Sequence, residues 1–226
     1  MIDLGSFTVE PNERLINRKE AWAEARRGMT EEGVQQDLRT RHDRLPPGQH
    51  RTNGWPVLDL GIHPDISLTD WNLTIGGTVE HPVRWSWEDF LAQPQIQCVS
   101  DFHCVTTWST FDNQWEGVSF RHLLSLVHPS PSTQFVLFTS YDGYSTNLPL
   151  EACDDDDVLL PWKWNGAPLA KEHGGPVRVL VPKRYAWKGA KWVKTITFAE
   201  RDKPGFWEVR GYSNTALPWD EDRYGY

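Results

Sequence analysis

Two stretches of this chain carry residues whose types and spacing could do chemistry. The first is Asp101 to Ser109 (DFHCVTTWS), which sets a single cysteine, Cys104, among polar and aromatic neighbours. A cysteine thiolate can act as a soft metal ligand. The second runs from Trp162 to Lys194. There Lys163, Lys171, Arg178, Lys183, Arg184, Lys188, Lys191 and Lys194 are opposed only by Glu172, so the stretch carries 8 − 1 = +7. The whole chain carries −8, which leaves −8 − 7 = −15 for the remainder. Gly174, Gly175 and Gly189 thread the basic stretch. Cationic side chains beside backbone that can be approached closely favour an anionic ligand. A plainer reading stands beside each: a cysteine ending a strand also serves as a small core residue, and a basic run as a solvated face.

Other chemistries are excluded by what is missing. There is no G-x-S-x-G, G-x-x-x-x-G-K-[ST], H-E-x-x-H or G-x-G-x-x-G. None of the eight histidines pairs at i, i+3 or i+4 with another histidine or a cysteine. His103 and Cys104 are adjacent, and neighbours on a strand point to opposite faces, so they do not share an ion. Three cysteines without a C-x-x-C pair exclude a disulfide framework and zinc-finger or thioredoxin sites. The acid run Asp154 to Asp157 lacks the spaced oxygens and glycine of a calcium loop and reads as a solvated turn. With 38% hydrophobic and 24% charged residues the composition is that of a globular protein. No apolar stretch reaches the roughly 18 residues a membrane span needs. An acidic chain with one basic pocket suits a small anion better than nucleic acid, which wants a broad positive face. No export signal is visible from Met1, and the expected location is cytoplasmic.

The elements that must position these residues are mixed. Arg18 to Arg27 reads as a helix ended by Gly28, and Thr40 to Gly54 as a loop with Pro46, Pro47 and Gly48. Trp71 to Val79, Ile96 to Cys104, Phe135 to Thr139, Val177 to Val181 and Val193 to Phe198 read as strands. Trp87 to Ala92 reads as a helical turn capped by Ser86, and Val118 to Val127 as a helix capped by Ser119. Strands and helices lack the rhythm of a doubly wound sheet, so the expected class is α+β. The expected organisation is an N-terminal extension over 1–51 and one domain over 52–226.

Further segments extend the pattern around Cys104: NQWEGV at Asn113, TSYDGYSTNLPL at Thr139, EHGGPVRVLVP at Glu172, YAWKGAKWVK at Tyr185 and DKPGFWEVRGYSN at Asp202. In this order and spacing, from about Thr52 to Tyr226, they resemble the sulfite-oxidase-type molybdopterin domain. The resemblance is closest to short bacterial members related to the methionine-sulfoxide reductase catalytic subunit. It implies the sulfite-oxidase fold with one molybdopterin per chain, and Cys104 as the molybdenum ligand. It assigns Arg178 and Lys191 to the pterin phosphate, backbone groups of Gly189 and Ala190 beside them, a pterin contact to His173, and further cofactor contacts to Asn53 and Thr139. Tyr212 matches the active-site tyrosine, and Cys98 and Cys153 fall outside the motif. The implied reaction is two-electron oxygen-atom transfer on a small sulfur or nitrogen oxide.

The departures from that family bear on substrate. Sulfite oxidases carry arginines before the position of Asn53 and after the cysteine. Here Thr52 precedes Asn53, and Val105 to Ser109, with Thr107 inside it, contains none. A dianion such as sulfite would want those cations. No haem or dimerisation domain is read in the chain, so the resemblance implies a separate electron-carrier protein. The rival from another class is a binding module without catalysis, since 13 tryptophans suit stacking on a sugar face or lining a small-anion site. Trp108, Trp115, Trp187, Trp192 and Trp207 lie inside the motifs and are expected to wall the cleft.

Overall fold

The computed structural model describes residues 13, 14, 16, 17, 20, 21 and 44–225. The extension expected over 1–51, with its helix at Arg18 to Arg27, falls largely outside the described residues. Those of its residues numbered 44–51 are tied into the domain. β1 (His50–Arg51) runs parallel to β5 (Trp108–Ser119), and Arg44 Nε lies 2.8 Å from Asp101 Oδ2.

Two five-stranded sheets make the domain, with short helices between them, as the α+β reading expects. In the first, β5 is the spine. β4 (Gln95–His103) pairs antiparallel along one edge, while β1 and β8 (Leu159–Trp164) share the other edge at opposite ends. β9 (Ala167–Pro168) extends β8. The second sheet has the order β3 (Val83–Ser86), β2 (Asn72–Gly77), β10 (Val193–Ala199), β6 (Phe135–Ser140), β7 (Ser145–Pro149).

Alternation decides which face of each strand is buried. Leu73 and Ile75 of β2 and Val136 and Phe138 of β6 are buried at every second position. On β10 the buried set moves from Val193 to Ile196 and Phe198, and a bulge between Val193 and Thr195 supplies the extra residue. α1 (Trp87–Ala92) starts in a capping box: Asp89 N–H donates to Ser86 Oγ at 3.1 Å and Ser86 N–H to Asp89 Oδ2 at 2.9 Å. α2 (Phe120–Val127) buries Phe120, Leu123 and Val127, one face of a 3.6-residue period. Its N-cap is Ser119 as expected, but the hydroxyl makes no capping bond, because Val118 and Ser119 end β5. α3 (Leu150–Cys153) is a single turn.

The strand expected over Val177 to Val181 does not form. That segment is buried, but its backbone bonds are divided. Leu180 exchanges bonds with Leu159 at 2.9 and 3.1 Å, whereas Val179 N–H donates to Ala190 O at 2.8 Å. Two different neighbours leave no continuous ladder. The segment is clamped between β8 and the basic turn that follows it.

The apolar interior divides in two. One cluster joins the second sheet to α1 and α2 and contains Phe120, whose ring meets Phe138 at 6.1 Å and Phe198 at 6.4 Å. The other is aromatic and gathers Phe102, Cys104, Trp108, Trp115, Tyr185, Trp187 and Tyr212. Replacing the fully buried Phe120 by Ala should cost about 3–5 kcal/mol, since the surrounding rings cannot collapse onto the space left. Denaturant unfolding of the cofactor-loaded protein measures this, and a loss below about 1 kcal/mol contradicts the packing described.

Candidate active site

β4 and β5 form a hairpin whose loop is Cys104 to Thr107. Cys104 N–H donates to Trp108 O at 2.9 Å, and Thr107 N–H closes the turn on Cys104 O at 3.1 Å. Thr107 takes φ 72, a left-handed conformation, and is buried without lining the cleft. The hairpin holds the thiol at a turn between strands, where it faces a cleft with about 870 Å³ of empty space, partly open to solvent. His103 lies on the other side as alternation requires. It is buried against Trp219, ring centroids 5.0 Å apart, with Nδ1 2.8 Å from Ser109 Oγ.

The loop rests on polar groups from both ends of the described chain. Gln49 Nε2 donates to Cys104 O at 3.1 Å, and Arg223 Nη1 donates to Val105 O at 2.6 Å. Ser109 Oγ links His103 to Gln49 Oε1 at 3.3 Å, and the Arg223 guanidinium lies over the Tyr185 ring at 4.9 Å. Cys104 Sγ itself sits 3.1 Å from Thr106 Oγ1. Gln49 and Arg223 carry no motif and lie 55 and 119 residues from Cys104 (104 − 49; 223 − 104), so nothing local in the sequence marks them.

Of the nine residues expected at the site, Cys104, His173, Arg178, Gly189, Lys191 and Tyr212 line this one cleft. The structure does not bring Asn53, Thr139 or Ala190 onto it. Asn53 is exposed before Trp55. The Thr139 hydroxyl is hydrogen-bonded across the sheet to Thr195. Ala190 is fully buried and its carbonyl accepts from Val179. Nor does Gly189 offer open backbone groups: its N–H donates to Ala186 O at 3.1 Å and its carbonyl accepts from Arg178 Nη2 at 3.2 Å. Glycine is required there for a different reason. A Cβ would lie 2.6 Å from Val179 O.

Arg178 is the cation built into the cleft. It is 2% exposed, and its three bonds go to the carbonyls of Val179, His173 and Gly189. Among the described residues no carboxylate lies within ion-pair distance of it, and its guanidinium faces Trp55 at 5.3 Å and Phe102 at 5.2 Å. Burial alone lowers its pKa to about 10, so it stays charged at neutral pH. A buried, charged guanidinium without a counter-charge beside a soft thiol fits a ligand with sulfur donors and an anionic end. Lys191 is differently placed, 3.5 Å from Asp59 and donating to Glu172 O at 2.6 Å. The His173 ring stacks on Trp55 at 4.0 Å and 4°, and burial with the charges of Lys191 and Arg178 lowers its pKa to about 4. It is neutral at pH 7 and able both to donate and to accept.

Most of the basic stretch is spent elsewhere. Lys163 pairs with Glu116 at 2.6 Å, Lys171 with Asp65 at 2.8 Å, and Lys183 with Asp155 and Asp157. Lys188 is fully buried on Glu208 at 2.7 Å and also donates to Asn147 O at 3.0 Å. Arg121 takes Asp154 and Asp156, so the acid run is tied down by two basic side chains, not merely solvated. Only Arg178 and Lys191 of the eight reach the cleft.

The far wall is aromatic. Tyr212 lies against Trp187 at 5.3 Å, Trp207 at 4.8 Å and Tyr224 at 5.2 Å. Glu208 Oε1 accepts from Trp187 Nε1 at 3.1 Å and Thr146 Oγ1 at 3.0 Å, fixing the indole edge. Trp108, Trp187, Trp192 and Trp207 line the cleft as expected, while Trp115 packs behind Trp55. Sequence reasoning missed Trp55, Asp59, Asp142 and Tyr144, all on the lining. Asp142 and Tyr144 lie within the TSYDGYSTNLPL segment, where Asp-Gly marks the turn that delivers them. Burial raises the Asp142 pKa to about 6.

With this geometry in view, the comparisons with known proteins are decisive. The family described as an oxidoreductase molybdopterin-binding domain matches residues 60–207, well over half the chain. The chain belongs to that family. It is 40% identical over 182 residues to the oxidoreductase YuiH of Bacillus subtilis, covering 80% of this chain and 92% of YuiH. To the methionine-sulfoxide reductase catalytic subunit MsrP of Campylobacter jejuni it is 27% identical, over 66% of this chain and 56% of that one. It therefore spans about half the length of that relative. The sulfane dehydrogenase SoxCD of Paracoccus pantotrophus shares its fold, with a TM-score of 0.58 at 23% identity over 66% of this chain and 42% of that one. Membership makes the chain a molybdopterin-binding oxidoreductase and turns aside the non-catalytic reading. Its thiol and its buried guanidinium without a carboxylate partner are groups such a cofactor can use. Among the described residues no helix is long and apolar enough to cross a membrane.

The buried titrating groups of this molybdopterin domain oppose each other in acid. His103, its pKa lowered to about 4 by burial, stays neutral in the fold, whereas the unfolded chain takes up a proton below about 6.5. Stability therefore falls as pH drops from about 6.5 to 4, by up to about 3 kcal/mol for this residue. Asp142 acts the other way, because the fold holds its proton up to about pH 6 while the unfolded chain releases it near 3.8. His103→Gln should flatten the acid decline of unfolding free energy, and Asp142→Asn should steepen it. Parallel curves for the two variants would contradict these assignments.

Proposed function

We propose that this protein transfers an oxygen atom to or from a small, uncharged sulfur or nitrogen oxide, with Cys104 as the molybdenum ligand. When bound, the cofactor supplies two-electron oxygen-atom transfer at molybdenum. The observation that carries the reading is the pairing, in one cleft, of a turn-held thiol with a buried guanidinium that has no carboxylate partner. Arg178 and Lys191 would hold the phosphate end. His173, neutral and stacked on Trp55, would meet the pterin with either ring nitrogen. Gln49 and Arg223 would keep the thiol in place by binding the carbonyls of its loop.

Charge supports the choice of substrate class. The hydrophobic residues that cluster with Cys104 on the lining are Phe102, Val105, Trp108, Trp187 and Tyr212, with Trp207 packed against them. The two cations of the cleft are assigned to the cofactor, which leaves none to neutralise a dianion. Tyr212, held by three aromatic neighbours, would orient the substrate oxygen through its hydroxyl and exclude water with its ring. An uncharged sulfoxide or N-oxide suits such a wall better than sulfite does. Electrons would pass through a separate carrier protein, a reading that the relative named as a catalytic subunit supports. A cytoplasmic location is favoured by three cysteines outside any disulfide.

Protein made in a host that synthesises the cofactor should hold about one molybdenum per chain and show a visible thiolate-to-metal absorption. Cys104→Ser should lose that absorption and the activity, while Arg178→Gln should lower the cofactor content. Metal-free protein from such a host, or an unchanged spectrum in Cys104→Ser, overturns the reading. With artificial electron donors and acceptors, turnover on sulfoxides or N-oxides should exceed turnover on sulfite. The reverse order would overturn the substrate class.

A further inference from the structure

We infer that Glu80, His81 and His128 form a surface site for a borderline divalent transition ion, with zinc as the best fit. One ligand atom from each lies within 4.8 Å of the other two. His128 Nδ1 is 3.4 Å from Glu80 Oε2, and the two imidazole centroids are 5.1 Å apart. None of the three lines the cleft. His81 and His128 are 47 residues apart (128 − 81), so no motif could announce the pair.

The backbone beneath them is already cross-linked. Glu80 N–H donates to His128 O at 3.0 Å and His81 N–H to Val127 O at 3.0 Å. Ser130 N–H donates to Thr78 O at 3.0 Å, and Val79 bridges Pro129. Thr133 Oγ1 adds a bond to Thr78 O at 2.8 Å. The two segments thus keep their relative position without a metal, and only exposed side chains need to rotate. Tetrahedral zinc with bonds near 2.0–2.1 Å wants ligand atoms about 3.4 Å apart, the separation that His128 Nδ1 and Glu80 Oε2 already have.

Two further observations point to a cation. His128 caps α2 in the left-handed conformation, φ 48, and so carries its imidazole at the helix C-terminus. The helix dipole places partial negative charge there, and the last turn of α2 holds no basic residue. Two imidazoles with a single carboxylate select zinc, nickel or copper over calcium or magnesium, which take all-oxygen sets. Three protein ligands leave a coordination position open to water. Bound there, the ion would tie the end of α2 to the segment between β2 and β3.

The test uses the cofactor-loaded protein, freed of adventitious metal by a mild chelator, then titrated with zinc by calorimetry and with cobalt by absorption. One equivalent should bind per chain, giving cobalt d–d bands without a thiolate band, and zinc should raise the thermal midpoint. His81→Ala and His128→Asn, the second chosen because Asn tolerates the left-handed backbone, should each weaken binding by more than about tenfold. Both should abolish the thermal shift and leave metal-free stability and turnover unchanged. Absence of saturable binding, a thiolate band, or equal affinity in His81→Ala overturns the site. None of these outcomes depends on the molybdenum chemistry, so failure here leaves the cleft assignment untouched.

Discussion

Everything in the cleft is referred to one four-residue turn. Cys104 to Thr107 closes on itself through Thr107 N–H and Cys104 O, and Gln49 adds a second bond to that carbonyl while Arg223 takes Val105 O. Those side chains arrive from opposite ends of the domain, so both must fold before the thiol has a fixed address. Around it the first sheet supplies the turn, the segment after β6 supplies Asp142 and Tyr144, and single helical turns supply His173 and Trp187. The site is assembled from loops held on rigid strands, which is where precise positioning and open access can coexist.

Charge follows the same division between structure and site. Long-range partners take four cations of a stretch that looks uniformly basic into structural ion pairs, and two reach the cleft. The Lys188–Glu208 pair is nearly dry, 0% and 2% exposed at the side chain, and Glu208 also receives Trp187. Breaking such a pair leaves an uncompensated buried charge, so it acts as a rigid peg behind the aromatic wall and not as a surplus of stability. Arg178 is the exception: its bonds go to three backbone carbonyls, and in the proposed function the cofactor would supply its counter-charge.

What could be read from the chain follows from how local each signal is. Ser86 and Asp89 cap α1 within four residues, and the alternation in β2 and β6 lies within six, so these elements were legible. Cys104, His173, Arg178, Lys191 and Tyr212 were legible because their segments carry family-like patterns, and the cleft does collect them. Val177 to Val181 misled because apolar residues report burial but not which neighbour takes each N–H. Ala190 and Thr139 lie in the same segments as lining residues, yet Ala190 is buried in the interior and Thr139 pairs with Thr195 on the other face of its strand. Gln49, Arg223 and Trp55 act through contacts that only the fold creates, and Asp155 looked solvated until Lys183 arrived from 28 residues away.

In the proposed function, the aromatic residues around Cys104 and the guanidinium of Arg178 would divide the cleft into a redox end and an anchoring end. That division requires the thiol to be bonded to the metal and not simply nearby. X-ray absorption at the molybdenum edge of the cofactor-loaded protein addresses this bond directly. The wild type should show one more sulfur ligand than Cys104→Ser at equal cofactor content. The same sulfur count in both proteins would show that Cys104 is not the ligand and would contradict the arrangement described.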